Sequence, residues 1–350
     1  EWNAVAIDPN DPLHILGANN WDRFFGESHD GGLTWSSKEI SLNGDMQGGR
    51  VIVFAPSDPQ VVYAGFGAFY SAGIFDNNIS ASGVYVSNNG GGNWTSANDG
   101  ATATTNVSGL VVHPSDPQLV FMAAPASGLF KTMDGGRNWT QIGGLPGGVR
   151  PLSVALDPVN PDLILMGSEG RGLFRSEDSG QTWGQVYSGI PAEAVITTIL
   201  FHPTIPDVVF CGDAFSGVYR SMDSGQTWLT MSNGLRTRAV NALVISVDGL
   251  HLYAATEGEG VFRLDLNNQP PESPVPLVGN ATPGTESPSN QPEEEPEKPP
   301  VANEPQTEEQ PDEDAVEFKP PAFSRVLLLA GGLILIVAVI VIVIFNKRGS

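Results

Sequence analysis

Ser28-His29-Asp30-Gly31-Gly32-Leu33-Thr34-Trp35 is the first of five copies of one octapeptide frame, and that frame decides the fold. The others are Ser87-Asn-Asn-Gly-Gly-Gly-Asn-Trp94, Thr132-Met-Asp-Gly-Gly-Arg-Asn-Trp139, Ser176-Glu-Asp-Ser-Gly-Gln-Thr-Trp183 and Ser221-Met-Asp-Ser-Gly-Gln-Thr-Trp228. Their closing tryptophans lie 59, 45, 44 and 45 residues apart. A period near 45 built from short β-rich units marks a repeat architecture, in which no unit buries its apolar face alone and each must stack on its neighbours. Asp or Asn followed by Gly turns the chain tightly, because the side chain bonds amides ahead of it and Gly accepts positive φ. The indole is large enough to be buried between stacked units. Asp30, Trp35, Asn89, Trp94, Asp134, Trp139, Asp178, Trp183, Asp223 and Trp228 are therefore expected to be folding staples and not a reactive site.

A second signature precedes each octapeptide: Asp8-Pro-Asn-Asp-Pro12, Ala55-Pro-Ser-Asp-Pro59, His113-Pro-Ser-Asp-Pro117, Asp157-Pro-Val-Asn-Pro161 and His202-Pro-Thr-Ile-Pro206. It separates two runs of strand character, such as Leu152 to Leu156 and Leu163 to Met166. A third run leads into the octapeptide and a fourth follows its Trp. Four antiparallel strands per unit make one propeller blade.

The S/T-x-D-x-G-x-T-W frame resembles the Asp-box, or BNR repeat, of sialidases, sortilin-type receptors, xyloglucanase-type glycoside hydrolases and a photosystem II assembly propeller. The D-P-x-x-P turns are most similar to the sortilin and xyloglucanase branch. The resemblance covers residues 1–266 and implies an all-β propeller of four-stranded antiparallel blades. Counting units gives six blades, with seven as the alternative: five carry the octapeptide, and a sixth, Asn241 to Leu266, has three strand runs and none. The chain opens at Glu1 directly in a strand pattern, so a signal peptide is expected to have been removed.

Beyond the propeller the composition changes. Residues 267–322 hold 14 of the 28 prolines and 13 carboxylates against Lys298 and Lys319. Such a segment has too little apolar surface to repay its ordering entropy, so residues 267–325 are expected to form a disordered acidic stalk. An uncharged 20-residue run from Val326 to Phe345 follows. At 1.5 Å per residue it matches a bilayer core of about 30 Å and is expected to be one transmembrane helix, leaving residues 346–350 as a short cytoplasmic tail. Lys319 and Arg325 on one side nearly balance Lys347 and Arg348 on the other. The family's extracytoplasmic habit implies a propeller outside a cell membrane that the chain crosses once, the rival being a tail-anchored protein facing the cytosol.

The net charge of −22 makes nucleic acid a poor partner. A single cysteine, Cys211, lies in a strand run, where a buried small apolar side chain is expected. There is no P-loop, no G-x-S-x-G elbow, no H-E-x-x-H and no Cys/His cluster. His113 and His202 occupy the repeat slot of Asp8 and Asp157, so they count as repeat positions; no metal and no cofactor are expected.

In a four-stranded antiparallel blade the first and third turns share one face. The D-P-x-x-P turns and the octapeptides thus point one way, and the resemblance puts ligand sites on the opposite face. By elimination the ligand-binding rim there is Asn19, Asn20, Trp21, Asp22, Arg23, Asp45, Arg50, Phe69, Tyr70, Asp76, Arg150, Arg171, Phe215, Arg236 and Arg238. The second unit carries 13 extra residues within 66–83, and loops that break a repeat are where specificity is built. Trp21, Phe69 and Tyr70 beside amides and carboxylates suit a platform for a sugar ring or a peptide anchor. Six arginines, Arg23, Arg50, Arg150, Arg171, Arg236 and Arg238, offer to converge on a carboxylate; the bland alternative is local pairing with Glu and Asp. Resemblance to xyloglucanases implies a catalytic Asp in the first-blade loop, at Asp22, with its partner carboxylate across a cleft on a second propeller. With one propeller in the chain, the expectation is a noncatalytic binding or scaffold module for protein or carbohydrate, with a glycoside hydrolase displayed at the cell surface as the alternative.

Overall fold

The computed structural model describes residues 2–19, 24–39, 48–67, 70–71, 74–75, 83–101 and 105–268. The stalk beyond residue 268, the run 326–345 and the tail lie outside the described residues. No helix among the described residues is long and apolar enough to cross a membrane.

The architecture is an all-β, six-bladed propeller. Blade one comprises Trp2–Ile7, Ile15–Asn19, Phe24–Ser28 and Ser36–Glu39; blade two Gly49–Ala55, Asp58–Phe66, Val84–Ser87 and Thr95–Ser96; blade three Gly109–His113, Asp116–Ala124, Gly128–Thr132 and Trp139–Gln141. Blade four comprises Pro151–Leu156, Ile164–Ser168, Leu173–Ser176 and Gly184–Val186, and blade five Ile196–Phe201, Val209–Asp213, Gly217–Ser221 and Leu229–Thr230. Blade six has three strands, Val240–Ile245, His251–Thr256 and Gly260–Asp265. Within each blade the strands pair antiparallel in meander order. The first strands of successive blades adjoin one another from blade one to blade six. The extra residues of blade two hold a small hairpin of their own, Tyr70–Ser71 paired with Ile74–Phe75.

The core lies between blades, as period-two patterning requires. Val62, Ala64 and Phe66 of blade two pack with Leu16, Ala18 and Phe25 of blade one. Tyr63, on the other face of the same strand, packs with Leu110, Val120 and Met122 of blade three. Cys211 is buried in the layer between blades four and five, where burial pushes its thiol well above its ordinary pKa.

The octapeptides close by a shared pattern of bonds. In the first, Ser28 Oγ donates to Asp30 Oδ1 at 2.8 Å and accepts from the Gly32 amide at 2.8 Å. The Thr34 amide donates to Asp30 Oδ1 at 2.9 Å and its hydroxyl to Oδ2 at 2.5 Å. The Thr34 hydroxyl is the largest cause holding the Asp30 carboxyl down at about 2, and Thr182 does the same for Asp178, also at about 2. Asn89 keeps the frame with its amide oxygen, accepting from Ser87 Oγ and the Asn93 amide.

The octapeptide also clasps the first turn of its own blade. The Gly31, Gly90 and Gly135 amides donate to the carbonyls of Leu13, Gln60 and Gln118. In blades four and five the same slot is filled by Ser179 and Ser224, at φ of 56° and 57°, whose hydroxyls donate to Asp162 and Asp207. His113 and His202 act as expected of repeat positions: each Nδ1 accepts from amides two or three residues ahead, as Asp8 does for Asn10.

Candidate functional site

Strand pairing puts the loops between second and third strands, and the links between blades, on the face opposite the octapeptides. Asn20, Trp21, Asp22, Arg23, Asp45, Phe69 and Asp76 lie outside the described residues. Asn19 ends a strand of blade one opposite Trp2, and Tyr70 pairs with Phe75 in the inserted hairpin. The remaining candidates are spread over blades two to six.

Of the two possibilities for the arginines, convergence or local pairing, the described pairs are local. Arg150, in the link into blade four, pairs with Glu169 of that blade, Nε to Oε2 at 3.0 Å. Arg236, in the link into blade six, pairs with Glu259 of blade six at 2.6 Å. Arg238 reaches the Ser216 carbonyl at 3.5 Å, and Arg171 is exposed. Arg50 is half-buried beside Gly67, and desolvation lowers its guanidinium to about 10. A guanidinium on a rim gains more from a carboxylate one loop away than from spanning several blades, so each pairing is local.

Among the described residues a groove lies on the rim at blade three. A cavity of about 650 Å³ opens between its Pro125–Leu129 loop and the link to blade four, lined by Pro125, Ser127, Leu129, Leu145, Pro146 and Arg150. Glu169 stands beside Arg150, with its backbone amide donating to the Arg150 carbonyl at 2.9 Å. Burial raises the Glu169 carboxyl above its ordinary pKa, and Arg150 opposes that rise. The pair therefore places a carboxylate and a guanidinium in an ion pair at the edge of a mixed polar and apolar groove.

Asp213, at the matching strand end in blade five, has a different role. It is buried, with Oδ1 accepting from the Phe215 and Ser216 amides at 2.6 Å each and Oδ2 from the Val195 amide at 2.8 Å. Those bonds fix the loop so that Phe215 stands out 64% exposed. An exposed aromatic on a braced loop is the described counterpart of the stacking surface expected at Trp21 and Tyr70.

One group was not foreseen. His14, Glu27 and His29, on the octapeptide side of blade one, bring their side-chain ligand atoms within 4.8 Å of one another. The hairpin register pairs Ile15 with Ser28, which sets residue 14 across from residue 29. Sequence spacing alone hides this, since 14 and 27 are far apart until the register is known.

The fold is that of a six-bladed β-propeller with its repeated turns on one face. No family model matches the chain. A xyloglucanase from Paenibacillus sp is 27% identical over 197 residues, covering 45% of this chain and 18% of that enzyme. The fold is shared with an ancestral GH74 enzyme at a TM-score of 0.60 and 15% identity, over 77% of this chain and 37% of the other. It is also shared with the GH74 xyloglucanase of Xanthomonas campestris, at a TM-score of 0.55 and 18% identity, over 75% and 44%. The chain thus spans less than half the length of each.

Proposed function

We propose that this chain is a polysaccharide-directed propeller of the xyloglucanase type, contributing to glycoside hydrolysis through the rim opposite the octapeptides. The observation that carries the reading is the 27% identity over 197 residues to the Paenibacillus xyloglucanase. The five octapeptides are taken as Asp-boxes in this proposal, a reading supported by their common bonding around Asp30, Asn89, Asp134, Asp178 and Asp223. Asp22 is the assigned carboxylate and Trp21 the assigned stacking side chain. The second carboxylate that hydrolysis requires is to be sought among Asp45, Asp76 and Glu169 by Asn or Gln substitution.

The test is incubation of the full chain with xyloglucan and unbranched β-1,4-glucan, scoring new reducing ends and retention on the polymer. Turnover that Asp22→Asn removes while retention persists supports the reading; retention and turnover both absent would sink it. Retention without turnover would favour a noncatalytic module for carbohydrate. That second reading draws support from the described rim acids, since Glu169 and Glu259 are committed to arginines and Asp213 to backbone amides.

The same proposal places residues 267–325 as a stalk and 326–345 as a single membrane anchor, with the propeller outside and residues 346–350 inside. Alkaline extraction of membranes tests the anchor, and protease protection tests its orientation. Release of the full chain by alkali would remove the anchor from the proposal.

A further inference from the structure

We propose that His14, Glu27 and His29 form a binding site for a borderline divalent cation, Zn²⁺, on the octapeptide side of blade one, remote from the polysaccharide rim. His14 is buried at the end of the first turn, Glu27 is buried in the third strand, and His29 is the second residue of the first octapeptide. His14 Nε2 lies 3.3 Å from Glu27 Oε1, and His29 Nε2 lies 3.3 Å from the same oxygen. Ligand atoms around a tetrahedral ion with bonds of about 2.0–2.1 Å are about 3.3 Å apart, so two edges of that tetrahedron are already in place. Closing the third edge requires His29, whose side chain is 67% exposed, to turn out of its present stack on His14 at 4.7 Å.

The partners of His14 point the same way. Its Nδ1 faces Asp8 Oδ2 at 3.2 Å, and Asp8 is itself buried and fixed by the Asn10 amide. A carboxylate on one ring nitrogen holds the proton there and aims the lone pair of the other outward, the usual arrangement behind a metal-bound histidine. With the proton on Nδ1, the Nε2 lone pair faces a carboxylate oxygen of Glu27. Two acceptors at 3.3 Å need an electropositive species between them, either a proton or a metal ion. The Phe54 ring of blade two makes a T-shaped contact with His14 at 5.5 Å, and the exposed His29 leaves the outer side of the site open to water. Two imidazoles and a carboxylate suit Zn²⁺ over Ca²⁺ or Mg²⁺, which prefer all-oxygen shells.

The ion would tie the first turn, the third strand and the octapeptide of one blade together. Blade one is also the blade whose octapeptide tryptophan, Trp35, is 37% exposed, while Trp139 and Trp228 are buried. A metal staple there takes over part of what a buried indole does elsewhere.

Calorimetric titration of the full, tag-free chain with Zn²⁺, with Co²⁺ as a spectroscopic probe, tests the site. One equivalent is expected to bind with a micromolar or tighter Kd, to give tetrahedral Co²⁺ bands, and to raise the unfolding temperature. His29→Ala, an exposed change that leaves the core alone, is expected to weaken binding by at least about tenfold and to abolish the thermal shift, as is Glu27→Gln. His251→Ala, at the separate His251–Asp265 pair, is expected to change neither. Absence of saturable binding below millimolar Zn²⁺ would overturn the site and leave a proton between His14 Nε2 and Glu27. So would binding that survives both His29→Ala and Glu27→Gln, or that His251→Ala removes.

Discussion

The indole Nε1 of Trp139 donates to the carbonyl oxygen of Ala97 at 2.8 Å, from the octapeptide of blade three to the outer edge of blade two. The Trp139 ring is 4% exposed and packs in the layer between the two blades. Trp228 sits likewise against blade four, its amide donating to the Ser188 carbonyl at 3.0 Å, and a Cβ at Gly189, φ +82°, would collide with the Trp228 carbonyl. Trp94 stacks on Phe25 of blade one at 4.5 Å. The closing tryptophan thus joins its blade to the one before it.

Trp139→Ala is therefore expected to cost about 3–5 kcal/mol, from lost burial plus a cavity at a blade interface. Trp35→Ala, at a half-open position, is expected to cost under about 1 kcal/mol. Urea unfolding midpoints of the two variants compare them directly. Equal losses would mean that the tryptophans act within their blades and not between them.

The octapeptide carboxylates make stability depend on acid. Asp30 and Asp178 hold the charged form down to about pH 2 in the folded chain, against an ordinary value of 3.8. Asp134 and Asp223 are lowered as well. A depressed folded pKa stabilises fully above the unfolded value and loses that contribution as pH falls through the folded one. Thermal midpoints are expected to be flat from neutral pH to about 5 and to drop steeply between about 4 and 2. Asp178→Asn is expected to shallow that drop and remain folded at neutral pH, because Asn89 already closes the second octapeptide with an amide oxygen. A drop as steep as in the parent chain would show that Asp178 contributes nothing to it.

At the rim, Glu169 is caught between burial, which raises its pKa, and Arg150, which lowers it. Arg150→Gln removes the opposing cation while leaving the carboxyl in place. The Glu169 pKa is expected to move upward, read by side-chain carboxyl shifts in an NMR titration. A downward or null change would mean that the 3.0 Å pair does not form in solution.

How much of this was legible before the fold was known depends on where the signal is local. The octapeptides and the D-P-x-x-P turns announce themselves because a tight turn demands particular residues at fixed offsets, and they yielded the four-stranded blades and the three-stranded sixth blade. The sharing of one face by both turns also followed, since strand alternation needs only the strand count. The clasp between Ser224 and Asp207 was not visible, because it joins two turns whose docking depends on the twist of the blade. Nor was the His14–Glu27–His29 group, which exists only once Ile15 is set against Ser28. The arginines left two outcomes open. Charge alone allowed either convergence or local pairing, and Arg150 and Arg236 are held by the carboxylate on the adjacent loop.

Asp213 separates a structural acid from a reactive one. Its two oxygens satisfy three backbone amides, those of Val195, Phe215 and Ser216, in a site that is only 1% exposed. Asp213→Ala strands those donors without water, and each such loss costs about 1–3 kcal/mol, partly recovered as the loop relaxes. A net destabilisation of about 2–4 kcal/mol is expected by urea unfolding. Asp213→Asn retains one acceptor oxygen and is expected to lose roughly half as much. It is also expected to leave polysaccharide retention intact at temperatures where the fold holds, because Phe215 keeps its position. If Asp213→Asn instead removed turnover with no change in stability, the carboxylate would belong to the chemistry and not to the loop.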